Sequence, residues 1–238
     1  LVPSLLQTML ESFDELEKHL PNLKLWVSSG EALSTNLAEN LLLRFPGRKL
    51  LNLYGSSEVA ADSTYCEVTT SDLATCIGRP IFNTETYILD KSMQPVPIGV
   101  AGEIYIGGLG LARGYWNRPE LTAERFIPHP FNEKLGARLY KTGDLGCYKH
   151  DGSIEYLGRL DFQIKIRGMR VEPGEVQTAI ARHPALRQVV VVATQLGGGN
   201  ALVAYVVPKD NAPSAKELRS FILDILPEYM TPSAWVVL

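Results

Sequence analysis

The sequence predicts an α/β domain with a β-rich subdomain, followed by a small α+β C-terminal domain. Three observations carry this. Two apolar runs flank an amphipathic segment near the start. Short alternating segments separated by turns fill the middle, and beyond residue 160 strand and helix patterns regroup into a unit of their own. At 238 residues the chain has room for one large domain or two modest ones.

In chain order, Leu5, Leu6, Met9, Leu10 and Phe13 recur at helical spacing. "KLWVSSG" reads as a buried strand ending at Gly30, and "STNLAENLLLRF" as a helix capped by Ser34 and stopped at Pro46-Gly47. "KLLNLYG" reads as a second buried strand. Strand, helix and strand within about 30 residues match a right-handed βαβ unit with parallel strands. "TETYILD", "GEIYIGG", "RLYKTGDL" and "GSIEYLG", with a turn at Lys149-His150-Asp151-Gly152, predict antiparallel hairpins in a small barrel or sheet on the α/β part. In the last part, "FQIKIRG" reads as a strand and "EPGEVQTAIARHP" as a helix with Pro173 in its first turn. "QVVVVAT", the turn "GGGN" and "ALVAYVV" read as a hairpin, and "SAKELRSFILDIL" as an amphipathic helix. The boundary at 158–161 is charged rather than Gly/Ser-rich, which favours a defined hinge over a loose tether.

Composition narrows the function classes. Lys and Arg number 23 against 26 Asp and Glu, so no basic field points to nucleic acid or an anionic membrane. Cys66, Cys76 and Cys147 are widely spaced without a C-x-x-C pair, which argues against a zinc site or disulfide framework and suits a reducing cytoplasm. No apolar run approaches a membrane span, and the apolar opening has no basic leader or cleavage site. Starting without Met and in mid-pattern, the chain reads as a piece of something longer.

The βαβ unit itself nominates a site. Ligands of such sheets bind beyond the carboxyl ends of the strands. The segments that follow the two strands, Ser28-Ser29-Gly30-Glu31 and Tyr54-Gly55-Ser56-Ser57-Glu58, should therefore share one rim. Other signals are weak. The glycines of "GGLGLARGYW" lack dinucleotide-fingerprint spacing, there is no Walker-type loop or nucleophile elbow, and the four His residues stand singly.

Five segments taken in order are specific: "NLYGSSEV", "GEIYIGGLGLARGYWNRPELTAERFI", "LYKTGDLG", "YLGRLDFQIKIRGMRVEPGEVQ" and "LPEYMTP". Together they resemble the successive motifs in the second half of a nonribosomal peptide synthetase adenylation domain, in the adenylate-forming superfamily that includes acyl-CoA ligases. The resemblance covers essentially the whole chain. It implies that 1–160 is the C-terminal part of the large adenylation core and that 161–238 is the small mobile subdomain. It further implies ATP-dependent activation of an amino acid or related acid, with transfer to the phosphopantetheine thiol of a peptidyl carrier domain in the same synthetase.

The resemblance also assigns roles. Tyr54 would stack on adenine with Asn52 bonding the base, although a buried strand-end tyrosine is the plain alternative. Ser57 stands where the family usually has Thr and keeps a hydroxyl for phosphate; Glu58 would hold Mg²⁺, which prefers oxygen ligands. Gly30 would let the chain approach adenine closely. Asp144 would accept hydrogen bonds from the ribose hydroxyls, Tyr156 would cover the nucleoside, and Arg159 would reach ribose and phosphate. Taken alone, Asp144 and Arg159 would read as a surface salt bridge. Asp161 matches the family's hinge residue, and Gly168 lies in the loop that approaches the thiol path. Lys165 and Arg167 flank that loop and would meet phosphate or carrier, or form a solvated face, the reading preferred for Arg167. Val27, Ser29, Leu53, Ala61 and Asp62 fall where the family lines its acyl pocket. Asp62 would face a polar or cationic side chain, or bond outward.

The phosphate-binding loop is expected upstream of Leu1, and the adenylation lysine after Leu238. Two alternatives stay open: an acyl- or aryl-CoA ligase of the same superfamily, and a non-catalytic adenylation-like module.

Overall fold

The computed structural model describes residues 1–69, 76–196 and 199–238. The chain divides into two compact units, Leu1–Asp161 and Phe162–Leu238.

The first unit opens with helix α1 (Pro3–Ser12) and a short helix α2 (Leu16–His19). Of the residues at helical spacing, Leu6 and Leu10 point inward, whereas Leu5 and Phe13 are exposed. Strand β1 (Leu25–Ser28), helix α3 (Thr35–Arg44) and strand β2 (Lys49–Tyr54) follow, and β1 pairs parallel to β2, as in a βαβ unit. Ser34 caps α3 by accepting a bond from Leu37 N–H at 3.3 Å. Leu37, Ala38 and Leu41 face Trp26, Phe45 and Leu50 in one apolar cluster. The two strands are buried on one face only: Trp26, Ser28, Leu50 and Asn52 are covered, while Leu25 and Val27 stay substantially exposed.

After a single 3₁₀ turn at Ser57–Val59 come strands β3 (Thr64–Val68), β4 (Cys76–Pro80), β5 (Thr84–Leu89) and β6 (Gly102–Gly108). Helix α4 (Pro119–Arg125) then leads to β7 (Phe126–Pro128), β8 (Arg138–Tyr148) and β9 (Ile154–Arg159). The expected hairpins do not stand apart from the βαβ unit. β4 pairs antiparallel with β3 on one side and β9 on the other, giving among the described residues a nine-stranded sheet ordered β1-β2-β3-β4-β9-β8-β6-β5, with β7 on β8. The β8–β9 hairpin turns at the expected Lys149–Gly152, and it sets Asp144 directly opposite Arg159.

The second unit starts with a hairpin where the sequence pattern predicts only a strand. Strand β10 (Ile164–Ile166) reverses at Arg167 (φ 50°) and Gly168 (φ 77°) into β11 (Met169–Val171) before helix α5 (Pro173–Ile180). Strands β12 (Leu186–Leu196) and β13 (Gly199–Pro208) pair antiparallel; Gly197 and Gly198 of the expected turn lie outside the described residues. Helix α6 (Ala215–Leu223) carries a full capping box between Ser214 and Glu217. After a 3₁₀ turn at Glu228–Met230, strand β14 (Ala234–Val237) adds parallel to β13. Val176, Ile180, Leu186, Leu202, Val206, Leu218 and Ile222 form the core of this unit.

Candidate functional site

The end of β2, the middle of β8 and the end of β9 bring three predicted residues together. Tyr54 Oη donates to Asp144 Oδ2 at 2.6 Å, and Arg159 Nη1 donates to Asp144 Oδ1 at 2.6 Å. Arg159 also grips Asp161 through Nε (2.6 Å) and Nη2 (2.8 Å), and Nη2 reaches the Thr142 carbonyl at 3.2 Å. The Arg159 and Asp144 side chains keep only 16% and 11% of their exposure, so this is a shielded pair rather than a surface salt bridge. Such a planar fork fixes a carboxylate in orientation as well as in charge.

Gly143 makes room for this network. At φ 76°, a Cβ there would lie 2.9 Å from Arg159 Nη2 and 3.0 Å from Asp161 Oδ2. In sequence nothing signals that role beyond the glycine itself. Thr142 adds a buried brace: its Oγ1 donates to the Ile104 carbonyl at 2.7 Å and accepts from Asp144 N–H at 3.0 Å.

The electrostatics follow from this packing. Burial, then the charge of Asp144, pushes the Tyr54 phenol well above its ordinary range, and the same two causes raise Tyr156. Burial works against the charge of Arg159, but its bonds to Asp161 and the charges of Asp144 and Asp161 outweigh that and hold it above its usual value. The cluster therefore presents two neutral phenols beside one fixed cation flanked by two carboxylates. The Tyr54 and Tyr156 rings lie 6.1 Å apart and inclined by 43°. A base sandwiched between parallel rings needs about 7 Å, twice a carbon contact of roughly 3.5 Å. The geometry thus suits a base stacked on one outer ring face.

Glu58 sits apart from this cluster, in the 3₁₀ turn, and is buried. Its Oε1 accepts from Tyr115 Oη at 2.7 Å, and its carbonyl accepts from Ala112 N–H at 2.8 Å. The sequence pattern gives Tyr115 no role, because the contact joins residues 57 positions apart. Ser57 lies on the same turn and is exposed. Ala60 and Ala61, at φ 62° and 77°, follow directly in a left-handed backbone uncommon for alanine. Among the described residues no group of three His, Cys, Asp or Glu converges on a metal position. A single buried carboxylate fits Mg²⁺ in a nucleotide site, where one or two carboxylates act alongside phosphate oxygens and waters.

The other expected residues fall into three groups. Gly30 turns the chain after β1 at φ 89°, and a Cβ there would touch only Val2, at 3.4 Å, so its backbone angle rather than crowding calls for glycine. Asn52 is buried and its Nδ2 donates to the Cys76 carbonyl at 2.9 Å, tying β2 to β4; its Oδ1 is sealed off without a partner. That bond holds the strands together and uses one of the amide's two N–H groups. Val27 and Leu53 lie on the less covered face of β1 and β2, and Ser29 follows β1 directly. Ser29 Oγ donates to Asp62 Oδ1 at 2.8 Å, so Asp62 turns toward β1. Lys165 and Gly168 belong to the second unit, where Asn200 Nδ2 donates to the Lys165 carbonyl at 2.9 Å. Arg167 is exposed, in line with a solvated face. All three cysteines are buried thiols; a hydrogen bond with Cys66 brings Cys76 down to about 7, and burial raises Cys147. Among the described residues no helix is long and apolar enough to cross a membrane.

This fold and site define a class. Residues 1–116 match the model of the AMP-binding enzyme family, and residues 175–238 match that of the AMP-binding enzyme C-terminal domain. The chain belongs to the AMP-binding enzyme family. It is 42% identical over 232 residues to tyrocidine synthase 2 of Brevibacillus parabrevis, covering 98% of this chain and 6% of that protein. Among solved structures it is similar to PA1221, an NRPS protein containing adenylation and PCP domains, at 30% identity and TM-score 0.84. It is likewise similar to the Vibrio cholerae adenylation domain AlmE in complex with glycyl-adenosine-5'-phosphate, at 27% identity and TM-score 0.87. All of this chain is covered in both, but only 47% and 45% of those chains. The mixed α/β architecture with a smaller α+β unit is that of adenylate-forming enzymes.

Proposed function

We propose that this chain works in ATP-dependent activation of an α-amino acid, or a related carboxylic acid, for nonribosomal peptide synthesis. The acid's carboxylate attacks the α-phosphorus of ATP, releasing pyrophosphate and forming acyl-AMP. The phosphopantetheine thiol of a carrier domain then attacks the acyl carbon and releases AMP. The observation that carries this reading is the Asp144 carboxylate, oriented by Arg159 and Tyr54 at 2.6 Å each beside two aromatic rings. An ionised, pre-oriented carboxylate is a strong acceptor for ribose hydroxyls, and a tyrosine face is a stacking platform for a base. Arg159, held positive, would meet the nucleotide's ribose and phosphate, and Ser57 would offer its hydroxyl to phosphate. Glu58 would hold Mg²⁺, whose charge offsets that of the phosphates during attack. Val27, Ser29, Leu53, Ala61 and Asp62 would line the acid, with Ser29 holding Asp62.

Asp161 ends the first unit and is tied to Arg159, which suits a hinge that starts from a fixed point. Lys165 would then meet phosphate or the carrier, and Gly168 the thiol path. The relatives support carrier and acid as partners, since one of them holds adenylation and PCP domains and another is bound to glycyl-adenosine-5'-phosphate. Buried free thiols suit work in the reducing cytoplasm. The test is acid-dependent exchange of pyrophosphate into ATP by the intact protein, across amino, hydroxy, keto and aryl acids. Exchange with one class and loading of a carrier thiol are expected. Thioester formed on free coenzyme A alone would favour the CoA-ligase alternative. No exchange with any acid would favour a non-catalytic module.

A further inference from the structure

The loop at 109–118, between β6 and α4, closes on Glu58 from two sides. Ala112 N–H donates to the Glu58 carbonyl at 2.8 Å, and Tyr115 Oη donates to its carboxylate at 2.7 Å. The loop is itself held firmly. Arg138 donates to the carbonyls of Ala112 and Arg113, each at 3.0 Å, while its guanidinium lies 5.3 Å from the centre of the Phe126 ring. Tyr115 N–H donates to Thr122 Oγ1 at 2.9 Å, and the Tyr115 ring meets Phe126 edge-on at 5.7 Å. Backbone, ring and hydroxyl of Tyr115 are thus each fixed by a different neighbour. Glu58, by contrast, projects from a three-residue turn that runs straight into two left-handed alanines.

We propose that Tyr115 is a positioning residue for Glu58: its hydroxyl selects the single carboxylate orientation that meets the nucleotide's metal ion. This rests on the reading of Glu58 as the Mg²⁺-side carboxylate. A glutamate loses several rotatable torsions when it binds. Fixing them in the fold beforehand is worth roughly tenfold in affinity. Oxygen-specific bonding matters here because a metal takes its ligands in a defined geometry, so a carboxylate that rotates away contributes nothing.

The test is titration calorimetry of ATP binding to the intact protein, with Mg²⁺ and again in chelator, for the parent protein, Tyr115→Phe and Glu58→Gln. Tyr115→Phe keeps the ring against Phe126 and removes only the hydroxyl. Expected is a roughly tenfold loss of the Mg²⁺-dependent gain in affinity, with metal-free affinity within about twofold of the parent. Thermal unfolding of Tyr115→Phe serves as the folding check. Thr122→Val is a second variant that loosens the loop while keeping the hydroxyl, and a smaller loss of the same Mg²⁺-dependent gain is expected from it. If Tyr115→Phe weakens metal-free and metal-bound ATP by the same factor, the residue is merely structural and the inference falls. If it changes neither while Glu58→Gln abolishes the Mg²⁺-dependent gain, the inference falls and the reading of Glu58 stands. If Glu58→Gln keeps the gain, the Glu58 reading fails and takes the inference with it.

Discussion

The interiors of the two units are built from different materials. Inside the first, Ser28, Asn52, Glu58, Ser63, Thr64, Thr142 and Asp144 are buried among the apolar clusters. Inside the second, the described buried residues are almost all aliphatic, with Gln163 and Thr231 as the polar exceptions. Buried polar and charged groups are costly unless bonded, so a domain that keeps many of them has a use for them. In the first unit Thr142 and Asp144 lie on β8 beside the Arg159 guanidinium, Asn52 ties β2 to β4, and Glu58 bonds Tyr115. The second, among its described residues, has an almost wholly apolar interior and is built on cross-strand pairs, the Ser214–Glu217 capping box and two helices. Asp161 lies at the division between the two units.

Leu202 is fully buried in the second core. Leu202→Ala should destabilise that unit by about 2–5 kcal/mol, through lost burial plus the cavity left behind. Calorimetric unfolding should show one shifted transition, with ATP affinity kept. An equal loss of ATP affinity would mean that the two pieces are not energetically separate.

Tyr54→Ala removes a stacking face and one of Asp144's donors. ATP affinity should fall by about 1–3 kcal/mol, the usual worth of a stacked base, as read by titration. Unchanged affinity would place the base elsewhere.

The smallest effect concerns the connection. Asp161→Ala removes the carboxylate that Arg159 grips, and Asp161→Pro in addition fixes φ near −65°. If Asp161 is a pivot, acyl-AMP formation and thiol loading should respond unequally, by about tenfold or 1.4 kcal/mol. Pyrophosphate release and carrier loading, measured separately, check this. Equal losses in both half-reactions would make Asp161 an ordinary joint.

Some of this was legible in the sequence, and the physical reasons are specific. The βαβ unit could be read because its signals are local: apolar runs, Ser34 before a helical pattern, and a Pro-Gly stop. The rim position of Tyr54 followed from topology alone, and Asp144 and Arg159 from the order of the motifs. Three features could not be read. Tyr115's bond to Glu58 and Gly143's clearance under Arg159 depend on contacts between distant strands, to which sequence periodicity is blind. The left-handed backbone at Ala60 and Ala61 had no glycine to announce it. The bond from Asn52 to the Cys76 carbonyl likewise joins strands distant in sequence, and no periodicity announces it. The parallel pairing of β14 to β13 also leaves no local mark in sequence.

Asp144, held by Arg159 and Tyr54, is the proposed acceptor for the nucleoside's ribose. Asp144→Asn keeps the side chain's size while removing its charge and one acceptor oxygen. Titration of ATP and of 2'-deoxy-ATP into the parent and this variant tests the claim most directly. The variant should bind ATP more weakly by about 1.5–3 kcal/mol, roughly ten- to a hundredfold, and no longer distinguish ATP from the deoxy form. A variant that binds ATP as tightly as the parent and keeps the parent's preference for the ribose 2'-hydroxyl would contradict it.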